Sequence, residues 1–129
     1  MSETRSGMDR ASLELEAAEL LARHGFAAPA VSRAYYAAFY AAEEALSLLG
    51  VVRSKHSGVV AAVATILVRQ YGLDAQAGRL LRSLFERRSR ADYSIDDTPA
   101  EEATQALTDA DIVVTAIRAW IVTQRERKE

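Results

Sequence analysis

The chain has no cysteine, which excludes a disulfide framework and thiolate chemistry. It has only two prolines and six glycines in 129 residues, so little interrupts a helical path. Its two histidines, His24 and His56, lie far apart and do not make a metal-ligand set. No glycine-rich phosphate loop occurs, and neither a cofactor nor a metal is expected. No apolar run reaches the roughly 18–20 residues of a membrane span. The stretch 1–9 is short and polar, without the hydrophobic region of a signal peptide. Together these absences fit a cytoplasmic protein that does not engage a membrane.

What is present reads as one soluble helical domain over residues 1–129. Half the residues are hydrophobic and 26% are charged, a balance that favours a folded core over disorder. A net charge of −2 argues against nucleic-acid binding by bulk charge alone. The distribution is less even. Five arginines and a single acid, Glu86, lie between Arg79 and Arg90, and Asp92, Asp96, Asp97, Glu101 and Glu102 follow. A basic patch beside an acidic loop is therefore open.

Five helices and no strands are expected. The first spans about 9–24, with Leu13, Ala17, Leu20 and Leu21 on one side and Gly25 as its C-terminal cap. The second spans about 30–49, with Pro29 near its first turn and Gly50 after its end. The third spans about 57–70 and carries Val59, Val60, Val63, Ile66 and Leu67. The fourth spans about 74–91, and the loop "DYSIDDTP" follows. The fifth opens with a capping box of Thr98 and Glu101, with Pro99 at its first position. Ala103, Ala106, Ala110, Val113, Ile117 and Trp120 then recur in steps of three and four. The tail "QRERKE" frays into solvent. Short connections make successive helices antiparallel neighbours, which gives an all-α, five-helix up-and-down bundle.

Three constellations can carry chemistry. On the second helix, Val31, Tyr35, Ala38, Ala42, Ala45 and Leu49 form one arc, and Arg33, Tyr36, Tyr40, Glu43 and Glu44 form the opposite one. The second arc is either a polar outer face or a partner surface, since tyrosine offers buried area and a hydroxyl together. On the fourth helix, Ala77, Leu81, Leu84 and Phe85 share a side into which Arg88, and four residues later Asp92, also fall. Either that end of the stripe leaves the core as a solvated helix end, or Arg88 binds an anion in a polar cleft and Asp92 orients it. His56, in "RSKHSGVV", is either an exposed first-turn residue or part of a small anion site with Lys55 and the free amides of the turn. His24 can interact with the terminal carbonyls of its own helix and is given no further role.

The stretches "SRAYYAAFYAAEEAL" at 32–46, "KHSGV" at 55–59 and "RSRADY" at 88–93 resemble the HEPN family, named for nucleotide binding in prokaryotes and higher eukaryotes, and above all its small stand-alone prokaryotic branch. The resemblance implies a five-helix bundle that forms a homodimer. It also implies either metal-independent ribonuclease activity or a toxin encoded beside a minimal nucleotidyltransferase antitoxin. Catalytic members carry an arginine, four to six residues and a histidine, brought together at the dimer interface. The arginine maps to Arg88, and Tyr93 takes the histidine's place, with Asp92 before it. Counted from Arg87, Asp92 falls there instead. Neither register supplies an imidazole, and cleavage by 2′-hydroxyl attack needs a proton acceptor and a donor. The missing histidine favours a nucleotide- or RNA-binding module. The alternative is a ribonuclease acting through Arg88, Asp92 and Tyr93, to which His56 can contribute if the third helix approaches the fourth. The expected binding residues are Arg87, Arg88, Lys55 and His56, and the expected partner or dimer face is Arg33, Tyr36 and Tyr40. By the same resemblance, Tyr93 is a target for adenylylation by the partner enzyme.

Overall fold

The computed structural model describes residues 6–94 and 97–127. The described residues form five helices and no strand: α1 (Gly7–Arg23), α2 (Ala27–Ser47), α3 (His56–Ala62), α4 (Ala75–Tyr93) and α5 (Ala100–Arg127). A π-helical segment, Val63–Val68, continues α3 directly. The all-α bundle read from the sequence is the observed fold. Residues 1–5, the centre of the acidic loop at 95–96 and the last two residues of the tail lie outside the described residues.

Helix ends follow local chemistry. α1 begins with a reciprocal box: the Asp9 amide donates to Ser6 Oγ at 3.1 Å, and the Ser6 amide donates to Asp9 Oδ2 at 3.4 Å. It starts two residues earlier than the apolar pattern indicates, because a capping pair need not be apolar. α1 ends at Gly25, whose φ of 82° suits a residue without Cβ. There the amides of Gly25 and Phe26 donate back to Ala22 and Leu21, the paired bonds of a Schellman turn. α2 begins at Ala27 rather than at about 30, so Pro29 lies inside its first turn, where no helical partner for its amide is needed. α4 starts behind Asp74, whose carboxylate accepts from the Gln76 amide at 2.9 Å. It continues through Asp92 and Tyr93, which the sequence reading gave to the loop. α5 runs to Arg127, so residues 124–127 of the tail expected to fray are helical.

α2 is the central rod. Ala34, Ala37, Ala38, Ala41, Ala42 and Ala45 are all fully buried and share one side of the helix. Methyl-sized side chains let neighbouring axes come close, and α2 touches α1, α3, α4 and α5. The expected inner arc of α2 is buried and wider than the sequence indicated, taking in Ser32, Ala37, Phe39, Ala41 and Leu46, while the opposite arc is half-buried or exposed. Its tyrosine arc is half-buried between α1 and α4. The apolar stripe of α5 is buried from Ala103 to Trp120, and the Trp120 indole donates to the Tyr71 carbonyl at 2.8 Å, anchoring the turn before α4.

Candidate functional site

The site forms where the C-terminal half of α4 passes the middle of α2 and the start of α3. Tyr35 and Phe39, one turn apart on α2, bring two rings to the same side. The first residue of α3, His56, lies on them: its imidazole stacks on Phe39 with centroids 4.1 Å apart. Its Nδ1 lies 3.0 Å from the Tyr35 hydroxyl. Arg88, from α4, closes the cluster. Its guanidinium carbon is 5.1 Å from the Tyr35 ring centre and 5.7 Å from that of Tyr36, within cation–π range. Arg88 also reaches Asp92 Oδ2 at 3.3 Å, the i,i+4 pair expected from the sequence. The Arg88 Nε is buried and has no hydrogen-bond partner.

These contacts settle local charges. Burial raises the Tyr35 pKa well above its usual value, with the Arg88 charge opposing, so the phenol keeps its proton. Burial lowers the His56 pKa, and the nearby positive Arg88 lowers it further. At neutral pH the pair is a neutral phenol and a neutral imidazole. A buried O–H needs an acceptor, and Nδ1 is within reach. The tautomer that satisfies both groups has Tyr35 donating to Nδ1 and the ring proton on Nε2. His56 then presents an N–H donor on its other edge.

A cationic ladder extends along the half-buried arc of α2. The Arg33 guanidinium lies 4.7 Å from the Tyr36 ring centre and also bonds Glu14 of α1 at 2.9 Å. Arg10 of α1 sits 3.9 Å over the Tyr40 ring. Beside the ladder, Leu21, Ala28, Pro29, Ser32, Arg33, Ala91 and Asp92 line an open cavity of about 400 Å³.

The sequence-predicted residues are thus distributed unevenly. Arg88, His56 and Tyr36 come together, with Asp92 bonded to Arg88 and Arg33 also over the Tyr36 ring. Tyr40 continues the row one turn on. Lys55 is exposed immediately before α3. Tyr93 is 81% exposed at the last position of α4. Arg87 points elsewhere: it is buried and its guanidinium bonds Asp109 of α5 at 2.7 Å, while Gln105 donates to the other carboxylate oxygen at 3.0 Å. Tyr35, Phe39 and Asp109 were not singled out as site residues by sequence reasoning. The i,i+4 spacing of Tyr35 and Phe39 in "YYAAF" is the signal that would have drawn attention to the first two. Among the described residues no group of three or more His, Cys, Asp or Glu side chains is arranged to hold a metal ion. No described helix is long and apolar enough to cross a membrane.

The family model described as HEPN domain matches residues 4–120, nearly the whole chain. The chain belongs to the HEPN family. Two proteins of Methanocaldococcus jannaschii are similar over most of their length. Putative toxin MJ0605 is 29% identical over 116 residues, covering 90% of this chain and 87% of that protein. Putative toxin MJ0142 is 28% identical over 118 residues, covering 91% and 80%. A UPF0332 protein of Thermotoga maritima is 37% identical over 79 residues, covering 61% of this chain and 60% of its own. In this HEPN chain Arg88 of "RSRADY" and His56 of "KHSGV" share the Tyr35 and Tyr36 rings, and the Arg88 charge is felt at the imidazole.

Proposed function

We propose that this HEPN protein is toxin-like and binds the phosphate of a nucleotide or RNA at Arg88, working with a minimal nucleotidyltransferase partner as its antitoxin. The observation that carries the reading is the state of Arg88. Its guanidinium is held between aromatic rings and a single carboxylate, and a buried Nε–H lacks an acceptor. A buried donor left unpaired costs roughly 1–3 kcal/mol, and a shift of the guanidinium that lets an anionic oxygen reach it removes that cost. Arg88 and the Nε2–H of His56 are the donors for such an oxygen, Lys55 adds charge at the rim, and Asp92 holds the guanidinium plane. Arg87, turned to Asp109, contributes by fixing α4 against α5. The names of the two Methanocaldococcus jannaschii relatives support the toxin assignment. We assign the protein a homodimeric state, with the Arg33–Tyr36–Tyr40 row facing the second copy. The exposed Tyr93 is the position where adenylylation by the partner enzyme would add an anion beside Arg88 and close the site.

A second reading, a metal-independent ribonuclease, is favoured by one observation: the imidazole of His56 stands beside Arg88 and bonds Tyr35. Incubating the pure protein with end-labelled RNA, with and without EDTA, separates the two. Cleavage that survives EDTA and disappears in His56→Ala supports the ribonuclease. Saturable nucleotide or RNA binding without cleavage, lost in Arg88→Ala, supports the binding module. Binding unaffected by Arg88→Ala counts against both.

A further inference from the structure

A second basic feature lies on the other side of α4. At 100° per residue, Arg79 stands half a turn of the helical wheel from Arg88, and nine residues place it about 13 Å away along the axis. There the π-helical segment and the start of α4 enclose a shallow groove of about 280 Å³, lined by Ala64, Val68, Ala75 and Gly78 with Arg69, Arg79 and Arg82. The floor is low because its residues are small. A Cβ built on Gly78 would stand only 3.3 Å from the Val68 side chain, so the two segments approach as closely as a glycine allows.

The three arginines are exposed, and none has an ion-pair or hydrogen-bond partner among the described residues. No acid lines the groove. The nearest acids in sequence are Glu86, one turn after Arg82 on α4 and not ion-paired to it, and Asp74, which is engaged in capping α4. In a chain whose acids outnumber its lysines and arginines, 18 to 16, this is a local excess of one sign, reinforced by the positive end of the α4 dipole. Arginine stems can cover an apolar floor while their heads stay wet, but that role does not require three uncompensated charges.

We infer that this groove is a second anion site, which holds the phosphodiester backbone of a single nucleic-acid strand. The charge pattern asks for a polyanion. An acidic protein would need a deep apolar or aromatic anchor, the usual centre of a protein interface, and this groove is shallow and lined by no ring. For the same reason it offers no stacking surface for a base, so binding there reads charge and not sequence. RNA and DNA strands of equal length should bind the groove alike.

The test follows a fluorescein-labelled single-stranded 20-nucleotide RNA by anisotropy, with the full chain, over a series of salt concentrations. Each phosphate contact contributes about 0.7 to the slope of log affinity against log salt for single strands. The triple variant Arg69→Gln, Arg79→Gln, Arg82→Gln should therefore lose roughly 2 from the slope, from three contacts of about 0.7. A charge-matched control, Arg23→Gln, Arg125→Gln, Arg127→Gln, should keep the wild-type slope. If the triple variant fails to fold, Arg82→Gln alone should lose about 0.7. Equal slopes in the groove and control variants, or no strand binding by the wild type, overturns the inference. So does displacement of the labelled strand by polyglutamate as effective, per charge, as by an unlabelled DNA strand, which assigns the groove to an acidic protein. Arg88→Ala distinguishes the two sites. Loss of all strand binding in Arg88→Ala, with none in the groove variant, removes the groove and leaves the Arg88 reading standing. Loss of mononucleotide binding in Arg88→Ala with the strand slope retained supports the groove and tests Arg88 separately.

Discussion

Adjacent arginines, Arg87 and Arg88, should behave oppositely when removed. Arg87 and Asp109 are each about nine-tenths buried, and their 2.7 Å bond joins α4 to α5. Arg87→Ala would strand the Asp109 carboxylate, with Gln105 as its remaining side-chain donor. Breaking a buried pair from one side typically costs 3–5 kcal/mol, because the orphaned charge keeps its desolvation penalty. A chain of 129 residues unfolds with an entropy of about 0.27 kcal/mol/K, so that loss corresponds to a melting temperature lower by roughly 10–20 °C. Arg88→Ala removes cation–π contacts and a partly exposed pair with Asp92, and it also removes a donor that has no acceptor. Its net effect on stability should stay within about 1 kcal/mol, or about 4 °C. Thermal melts followed by circular dichroism, with urea titrations for the free energies, measure both. A double replacement, Arg87→Met with Asp109→Leu, should recover most of the loss, since apolar residues of similar volume replace buried pairs at little cost. If Arg87→Ala and Arg88→Ala melt within 3–4 °C of each other, or if the double variant is no better than Arg87→Ala, the assignment of Arg87 to the fold and Arg88 to the site is wrong.

Arg88→Ala should weaken nucleotide or RNA binding by about 1.5–3 kcal/mol in a fluorescence titration, and Arg88→Lys should not restore it, because a lysine lacks the planar fork. His56 has a lowered pKa in the folded chain, so the unfolded chain binds the extra proton more readily. Its contribution to stability is therefore complete above about pH 6.5 and falls as the pH drops below that value. Melts between pH 5 and 7.5 should show a shallower acid loss in His56→Phe than in the wild type. Gly7→Ala, which helix propensity alone favours, should instead destabilise by about 1–3 kcal/mol in urea titrations, because the new Cβ would meet the Tyr40 carbonyl oxygen at 2.7 Å and Glu44 Cβ at 2.8 Å. Sedimentation at micromolar concentration should give twice the mass of one chain, and a monomer would remove the dimer from the proposal.

How much of this could be read from the sequence depends on the range of the interaction. The fifth helix's stripe and the glycine stops of the first two helices are local, and they match the structure. The conversion of α3 to a π segment at Val63 is not legible, since apolar spacing over six residues fits either winding. Nor is the split between Arg87 and Arg88. Both are charged residues one step apart, and what separates them is Asp109, 22 residues later, which only the packing of α5 against α4 brings within reach. The start of α3 falls between the two kinds. "KHSGV" marks His56 as a residue of interest, but its partners Tyr35 and Phe39 were read as part of a core arc and an alanine-rich helix. The tertiary contact made the site, and the motif supplied one of its members.

The protonation pattern bears on which of the two activities the site is built for. A strand-cleaving site needs one group that takes a proton from a hydroxyl. In the resting arrangement His56 has its only lone pair, at Nδ1, occupied by the Tyr35 hydroxyl, and its other nitrogen carries the proton. Arg88 adds donors and no acceptor. Of the carboxylates, Asp92 is tied to Arg88 and lies at the edge of the cluster, while Glu43 reaches Tyr35 only through its charge. The Arg88–His56 part of the cluster therefore offers donors. Donors arranged around a buried, unpaired Nε stabilise an anion already present better than they remove a proton from a neutral group. For His56 to act as a base, Tyr35 would have to turn its O–H away from Nδ1 and accept there instead, giving up the buried acceptor its proton now uses. Tyr35→Phe makes that argument measurable. It removes the donor that fixes the tautomer and frees Nδ1. Under the binding reading it should cost affinity modestly, about 0.5–1.5 kcal/mol, through a less ordered imidazole, and yield no cleavage. RNA cleavage that appears or increases in Tyr35→Phe, with EDTA present, would show that the Tyr35 bond restrains a base, and the ribonuclease reading would then take precedence.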